Sequence, residues 1–349
     1  MNVVIRSVLS TAVVEARLGL MNLLRRRKRL AVALLVVVSA VVVLFLRDQP
    51  IARAAPHALV APTPVVATPV ATTPLQACWA ELARNEAIGQ VATAGLTQTK
   101  TWDVTVSGIV VRHPKGDVVI DVGNSSAFAA EIADYPFFDR KWLELLPGSN
   151  RVVATAPEAL RALGLDLEAL TVIPTHAHVD HLGGLVDLPR ARVLMPREEI
   201  EWAEAHAHDH YRHVVAAQAR ALEGRVTPLV FAARPYETFD ESADVFGDGT
   251  VVVVKLFGHT PGSVGVFVNL SPERRMFHVG DAVNVVEAVT RRLTKSVVMA
   301  STDLSREEAD RTVARIAQLH EAEPGIAIVP AHDRPAWSRV FGAPGQCVR

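Results

Sequence analysis

Cysteine is nearly missing from this chain: two of 349 residues, Cys78 and Cys347. A disulfide framework is therefore out of reach, and a single bridge is the most the chain can make. Whether those two thiols pair is open in sequence, where no geometry is visible. A basic excess is missing as well. The 36 Lys and Arg are met by 37 Asp and Glu, and nine of the basic residues lie within 1–54 beside only two acidic ones. The remaining body is acidic, which argues against a nucleic-acid partner, because phosphate binding needs clustered Lys and Arg. Aromatics are scarce, at 5%. Half of the residues are nonetheless hydrophobic, enough for a sizeable core in one large domain or two small ones.

Long apolar runs are lacking too, with one exception. RRRKR at 25–29 is followed over 30–46 by LAVALLVVVSAVVVLFL, 17 residues without a charge. As a helix this run spans about 26 Å, near the short limit for a bilayer and a little long for a secretory segment. The basic flank would keep residues 1–29 in the cytoplasm and place everything after Arg47 outside. An uncleaved transmembrane anchor and a signal peptide cut near Ala52-Arg53-Ala54 both fit, and Met21 is a possible alternative start. Export is expected: a single-pass protein of the cell membrane with its body outside the cytoplasm, or a secreted or periplasmic product after cleavage. Residues 50–75 hold six prolines and no glycine. Such a tract is an extended spacer, so 47–77 is a linker and the folded domain covers 78–349.

Through 78–349, short β-rich runs alternate with turns and helices. DVTVSGIVVRH, the turn PKG and DVVIDVG predict a hairpin, and LTVIP, VVVVKLF, SVGVFVNL, RMFHV and IAIVP are further strands. PEALRALG is helical, as is the segment after Asp303. There Ser305 and Glu308 have capping-box spacing, and Val313, Ile316 and Leu319 form an apolar stripe. This mixture predicts an α/β architecture with helices covering sheets.

Four of the strands lead into metal-capable side chains. LTVIP is followed by THAHVDH, which puts His176, His178, Asp180 and His181 within six positions. VVVVKLF leads to His259, RMFHV to Asp281 and IAIVP to His332, each after a one-residue step. Loops at strand ends are where a rigid scaffold presents functional groups. If the four ends share one edge, seven donors converge, more than one zinc needs. In extended chain, residues i and i+2 point the same way, so His176 and His178 grip one metal with His259. Asp180 and His181 then face a second metal with His332, and Asp281 bridges. Nitrogen and oxygen donors without sulfur suit two divalent metal ions, zinc first, with manganese, iron or cobalt as alternatives.

Two weaker signals accompany this set. Tyr135, Phe137, Phe138 and Trp142 crowd between Val122 and Arg151, as an apolar wall beside the metals or, more simply, as a loop and helix packed on the sheet. In AEAHAHDHYRH, His206, His210 and His213 would share one face of a helix, with His208 beside them. A polar exposed face accounts for them better than a second metal site.

HAHVDH resembles the hallmark of the metallo-β-lactamase superfamily. VVIDVG at 118–123, FGHTPGS at 257–263, VGDA at 279–282 and PAHD at 330–333 extend the likeness from about residue 100 to 335. It implies a four-layer αββα sandwich with a dimetal site along one edge, and makes Asp121 a buried support beneath the metal loop. Within the superfamily the chain is most similar to the lactonase-type hydrolases, which share the hairpin style and the 22-residue step from His259 to Asp281. Branches with a cysteine ligand, or with glutamate for a motif histidine, match less well. Where the lactonases carry a tyrosine three residues after the bridging aspartate, this chain has Asn284, able to donate a hydrogen bond to a substrate carbonyl. The implied enzyme is a hydrolase of a small ester, lactone or thioester. In it a metal-bridging water ionises near neutral pH, and Asp180 carries the proton to the leaving group. Hydrolysis of small phosphodiesters on the same site and an exported metal-binding domain without turnover are the alternatives.

Overall fold

The computed structural model describes residues 21, 23–43, 75–88, 92, 101–144, 151–207 and 212–349. Met1–Arg47 and Asp48–Arg349 form separate units. In the first, a helix runs over 23–43. Because RRRKR occupies its first turns, only 30–43 is uncharged, about 21 Å of helix against roughly 30 Å of hydrocarbon. Among the described residues no helix is long and apolar enough to cross a membrane, so the expected transmembrane span finds no support there. Residues 44–46 of the apolar run, the cleavage tripeptide and 47–74 of the linker lie outside the described residues.

The second unit holds two sheets. One contains β1 Gln76–Ile88, β2 Thr101–Arg112, β3 Val118–Ile120, β4 Thr171–Ile173, β5 Arg192–Met195 and β6 Val226–Pro228. The other contains β7 Ser242–Asp244, β8 Val251–Lys255, β9 Val264–Ser271, β10 Arg274–His278 and β11 Ile326–Val329. The last strand, β12 Cys347–Val348, returns to the first sheet, giving the orders β12-β1-β2-β3-β4-β5-β6 and β11-β10-β9-β8-β7. The expected hairpin forms, with Ile109 opposite Ile120 and Val111 opposite Val118.

Period-two alternation sorts the side chains into layers. Ile109, Val111 and Ile120 meet Val251, Val253, Val266 and Val268 between the sheets. Val110, Val119 and Val172 turn the other way and pack under Leu160, Leu182 and Ala219. On the far side Val252, Val254, Phe267 and Phe277 pack under the expected stripe of Val313, Ile316 and Leu319. That stripe lies on the Arg306–Ala322 helix, whose cap Ser305 accepts the Glu308 N–H. Both sheets are therefore covered on both faces, and the order helix, sheet, sheet, helix results.

β1 escapes the search for hydrophobic runs. QACWAELARNEAI mixes alanine with charges, yet it pairs with β2 along its length, from Gln76 opposite Arg112 to Ile88 opposite Thr101. Its Trp79 is fully buried against Trp337. Cys78 is the register partner of Cys347 on β12, and the two form a disulfide.

The topology also decides where strands end. β9 is antiparallel to β8 and β10, and β10 is parallel to β11. The C-terminal ends of β8, β10 and β11 therefore share one edge. Val264 N donates to the Thr175 carbonyl at 2.9 Å, which ties the end of β4 to that edge.

Candidate metal centre

All seven predicted donors meet there, every one buried. His178 has extended backbone (φ −71°, ψ 155°), so His176 and His178 point together. His176 Nε2 lies 3.0 Å from His178 Nδ1, and His178 Nδ1 lies 3.0 Å from His259 Nε2. The Val179–Leu182 helix starts directly afterwards and turns Asp180 and His181 elsewhere. Asp180 Oδ2 is 3.4 Å from His332 Nε2, and its Oδ1 is 3.8 Å from His181 Nε2. Asp281 stands between the two sets. Its Oδ1 is 3.2 Å from His332 Nε2 and 3.5 Å from His181 Nε2, while Oδ2 is 3.6 Å from His259 Nε2.

These atoms can hold cations. His176, His178 and His259 form one group with the spacing of metal ligands, and Asp180, His181 and His332 another. His181 Nε2, His332 Nε2 and Asp281 Oδ1 are buried with no hydrogen-bond partner. Orphaned buried polar atoms are costly, and three facing one another fit an ion that would satisfy them all.

Three of the outward ring nitrogens are held by named partners. His259 Nδ1 donates to Asp303 Oδ1 at 2.7 Å, and Lys295 Nζ donates to the same oxygen at 2.5 Å. His332 Nδ1 donates to the Thr105 carbonyl at 2.9 Å. His181 Nδ1 donates to Asp121 Oδ2 at 2.9 Å. Such bonds fix the tautomer and leave Nε2 free for a metal. Asp121 is a hub beneath the loop: it also accepts Thr175 N at 2.7 Å, Thr175 Oγ1 at 3.0 Å and His278 Nε2 at 3.1 Å.

The electrostatics follow from this packing. Burial works against charge on Asp121, but His181 and His278 hold it well below the usual carboxylate range. Burial also works against charge on His181, yet Asp121, then Asp281 and Asp180, hold it well above the usual imidazole range. Burial drives His176 and His178 well below it, helped by their histidine neighbours.

Asn284 follows the bridging aspartate by three residues. It is buried at 1% exposure, and its Nδ2 donates to the Ala92 carbonyl at 2.9 Å. The histidine tract departs from the expected helical face, because the Arg197–Ala205 helix stops before His206. His213 is instead buried, with left-handed backbone (φ 56°) and its ring 5.1 Å from that of His178. His208, His210 and Tyr211 lie outside the described residues. Of the aromatic group, Tyr135 packs on Phe128, Ile132 and Val179, whereas Phe137 and Phe138 are 59% and 80% exposed.

Several supporting residues are invisible to spacing. Glu199, Asp303 and His278 lie 22, 44 and 157 residues from the groups they hold, Ala177, His259 and Asp121, and Lys295 joins the same oxygen of Asp303. Only tertiary packing assigns them a place.

The model of the metallo-beta-lactamase superfamily matches residues 101–332, two thirds of the chain and the whole of this site. The chain belongs to that superfamily. It is a metal-dependent hydrolase of the metallo-β-lactamase fold. The N-acyl homoserine lactonase AttM of Azorhizobium caulinodans is 25% identical over 267 residues, covering 70% of this chain and 88% of its own. A probable metallo-hydrolase of Mycobacterium tuberculosis is 28% identical over 169 residues, 46% of this chain and 54% of its own. A solved N-acyl homoserine lactone hydrolase with N-hexanoyl-L-homoserine at its catalytic metal center superposes with a TM-score of 0.56 at 17% identity. It covers 78% of this chain and 99% of its own, a likeness of fold.

Proposed function

We propose that this superfamily member is an exported hydrolase that opens a lactone, or cleaves a small ester or thioester, with two divalent metal ions, zinc by its donor set. The observation that carries this is Asp281, whose Oδ1 faces His181 and His332 and whose Oδ2 faces His259. A single carboxylate thereby joins two donor groups. His176, His178 and His259 would hold one ion, and Asp180, His181 and His332 the other. When bound, the metals supply Lewis acidity and a water of lowered pKa. The chain's own residues do the rest. Asp180 lies at the inner face of the second group, where a carboxylate oxygen can take a proton and deliver it to the leaving oxygen or sulfur. Burial of every donor keeps bulk water from screening these charges. The lactonase relatives favour a lactone among the carbonyl substrates.

Two features support export: RRRKR before an apolar run, and the Cys78–Cys347 bridge, which suits an oxidising compartment.

The test is proton release from a panel of acyl-homoserine lactones by the metal-loaded chain, with His178→Ala beside it. Metal-dependent turnover that the variant loses is the expected result. Two metals bound per chain without lactone turnover would remove lactones and bring forward thioesters and small phosphodiesters.

A further inference from the structure

Glu199 lies in the first turn of the Arg197–Ala205 helix, where acidic residues ordinarily face water. Here the side chain is completely buried. Its Oε1 accepts the Ala177 N–H at 2.7 Å, and its Oε2 accepts the Gly262 N–H at 2.8 Å. Ala177 sits between His176 and His178. Gly262 sits three residues after His259, on the loop that carries it. One carboxylate therefore grips both loops that supply the three-histidine group, from the outside, with one oxygen on each.

The contact is built to be close. A Cβ on residue 262 would fall 2.5 Å from Glu199 Cβ and 2.6 Å from Glu199 N, so only glycine lets that loop reach the carboxylate. The loop is internally braced as well, since the Thr260 N–H is donated to Ser263 Oγ at 3.0 Å. The second donor group is held otherwise: His181 by Asp121, and His332 by the Thr105 carbonyl.

We propose that Glu199 is a positioning residue that sets the spacing of His176 and His178 against His259, and so tunes one metal site of the two. This rests on the assignment of the three histidines as metal ligands. One backbone bond, from Val264 N to the Thr175 carbonyl at 2.9 Å, joins the two loops before His176. Beyond it the Glu199 carboxylate links Ala177 to Gly262 and so helps set the distance between the ligand pair and the third ligand. Glutamine keeps the shape but has one acceptor oxygen. One of the two N–H groups then faces an NH2, and that loop is pushed away.

The experiment is zinc titration of the metal-free chain by calorimetry and by chelator competition, with cobalt spectra as a geometric readout. Wild type, Glu199→Gln, His178→Ala and His332→Ala are compared. The expected result is two sites in wild type and, in Glu199→Gln, an affinity about 10–100-fold lower at one site only. The weakened site is the one that His178→Ala removes, and its cobalt spectrum changes. Glu199→Asp, which keeps the charge but shortens the reach, gives the same selective loss if Glu199→Gln does not fold. Equal weakening of both sites, in step with a fall in thermal midpoint, makes Glu199 a packing residue and overturns the proposal alone. A wild-type chain that takes up no metal overturns the ligand assignment, and the proposal with it.

Discussion

Asp121 Oδ2 lies 2.9 Å from His181 Nδ1, and the aspartate that holds this imidazole has left-handed backbone, with φ of 60°. A non-glycine residue in that region is strained, and such strain persists where the surroundings over-determine it. Four bonds do so here, from His181, His278 and the N–H and hydroxyl of Thr175. Asp121→Asn keeps the size but offers an NH2 where one of these donors now points. We expect zinc affinity at the Asp180, His181 and His332 group to fall about 10–100-fold. Metal content after dialysis against a weak chelator measures it, and full retention of two zinc ions would contradict the role.

Gly258 has φ of 124°, and a Cβ there would fall 2.1 Å from Ala309 N. That nitrogen is backbone in the first turns of the Arg306–Ala322 helix, so it cannot step aside as a side chain would. Gly258→Ala is expected to cost on the order of 3 kcal/mol from strain and overpacking combined. It also displaces the adjacent His259. Denaturant midpoints of the metal-free protein test the first effect, and metal content tests the second.

The Cys78–Cys347 bridge joins two residues 269 apart, close to opposite ends of the folded body. Cross-linking so long a loop restricts the unfolded chain, and its removal is expected to destabilise by about 2–5 kcal/mol. Guanidinium unfolding with and without reductant, and of Cys347→Ser, reads this directly. Unchanged midpoints in all three would show that the β1–β12 pairing suffices.

Burial pushes Glu199 from an ordinary 4.5 up to about 7, against the pull of the Ala177 N–H, the Thr260 side chain and the Gly262 N–H. The folded chain then keeps a proton that the unfolded chain has already lost. Between about pH 4.5 and 7 stability therefore falls as pH rises, by on the order of 3 kcal/mol at full extent. Glu199→Gln cannot titrate, so its metal-free stability should vary less across that window than the wild type's. Parallel profiles for the two chains would place the slope on other groups.

Much of the centre is local and hence legible in sequence. His176, His178, Asp180 and His181 follow one strand, and the change from extended chain at His178 to helix at Val179 parts them into two sets by backbone geometry alone. His259, Asp281 and His332 announce themselves by their position after apolar runs. β1 gave no such signal, since its alanines and charges suit a strand only once β2 and β12 lie on either side of it.

Residue types, their order along the chain and the two side-chain periods were enough to specify alternating layers and a set of metal-capable strand ends. They do so because backbone sterics and hydrophobic burial act over a few residues. The family resemblance already places Asp121 beneath the metal loop. Tertiary structure alone decided that it holds His181, that Asp303 stands behind His259 and that Glu199 lies between Ala177 and Gly262. A carboxylate is acceptable inside a protein only when donors from elsewhere meet it. Those donors lie 22 to 63 residues away in sequence, where no local pattern reaches.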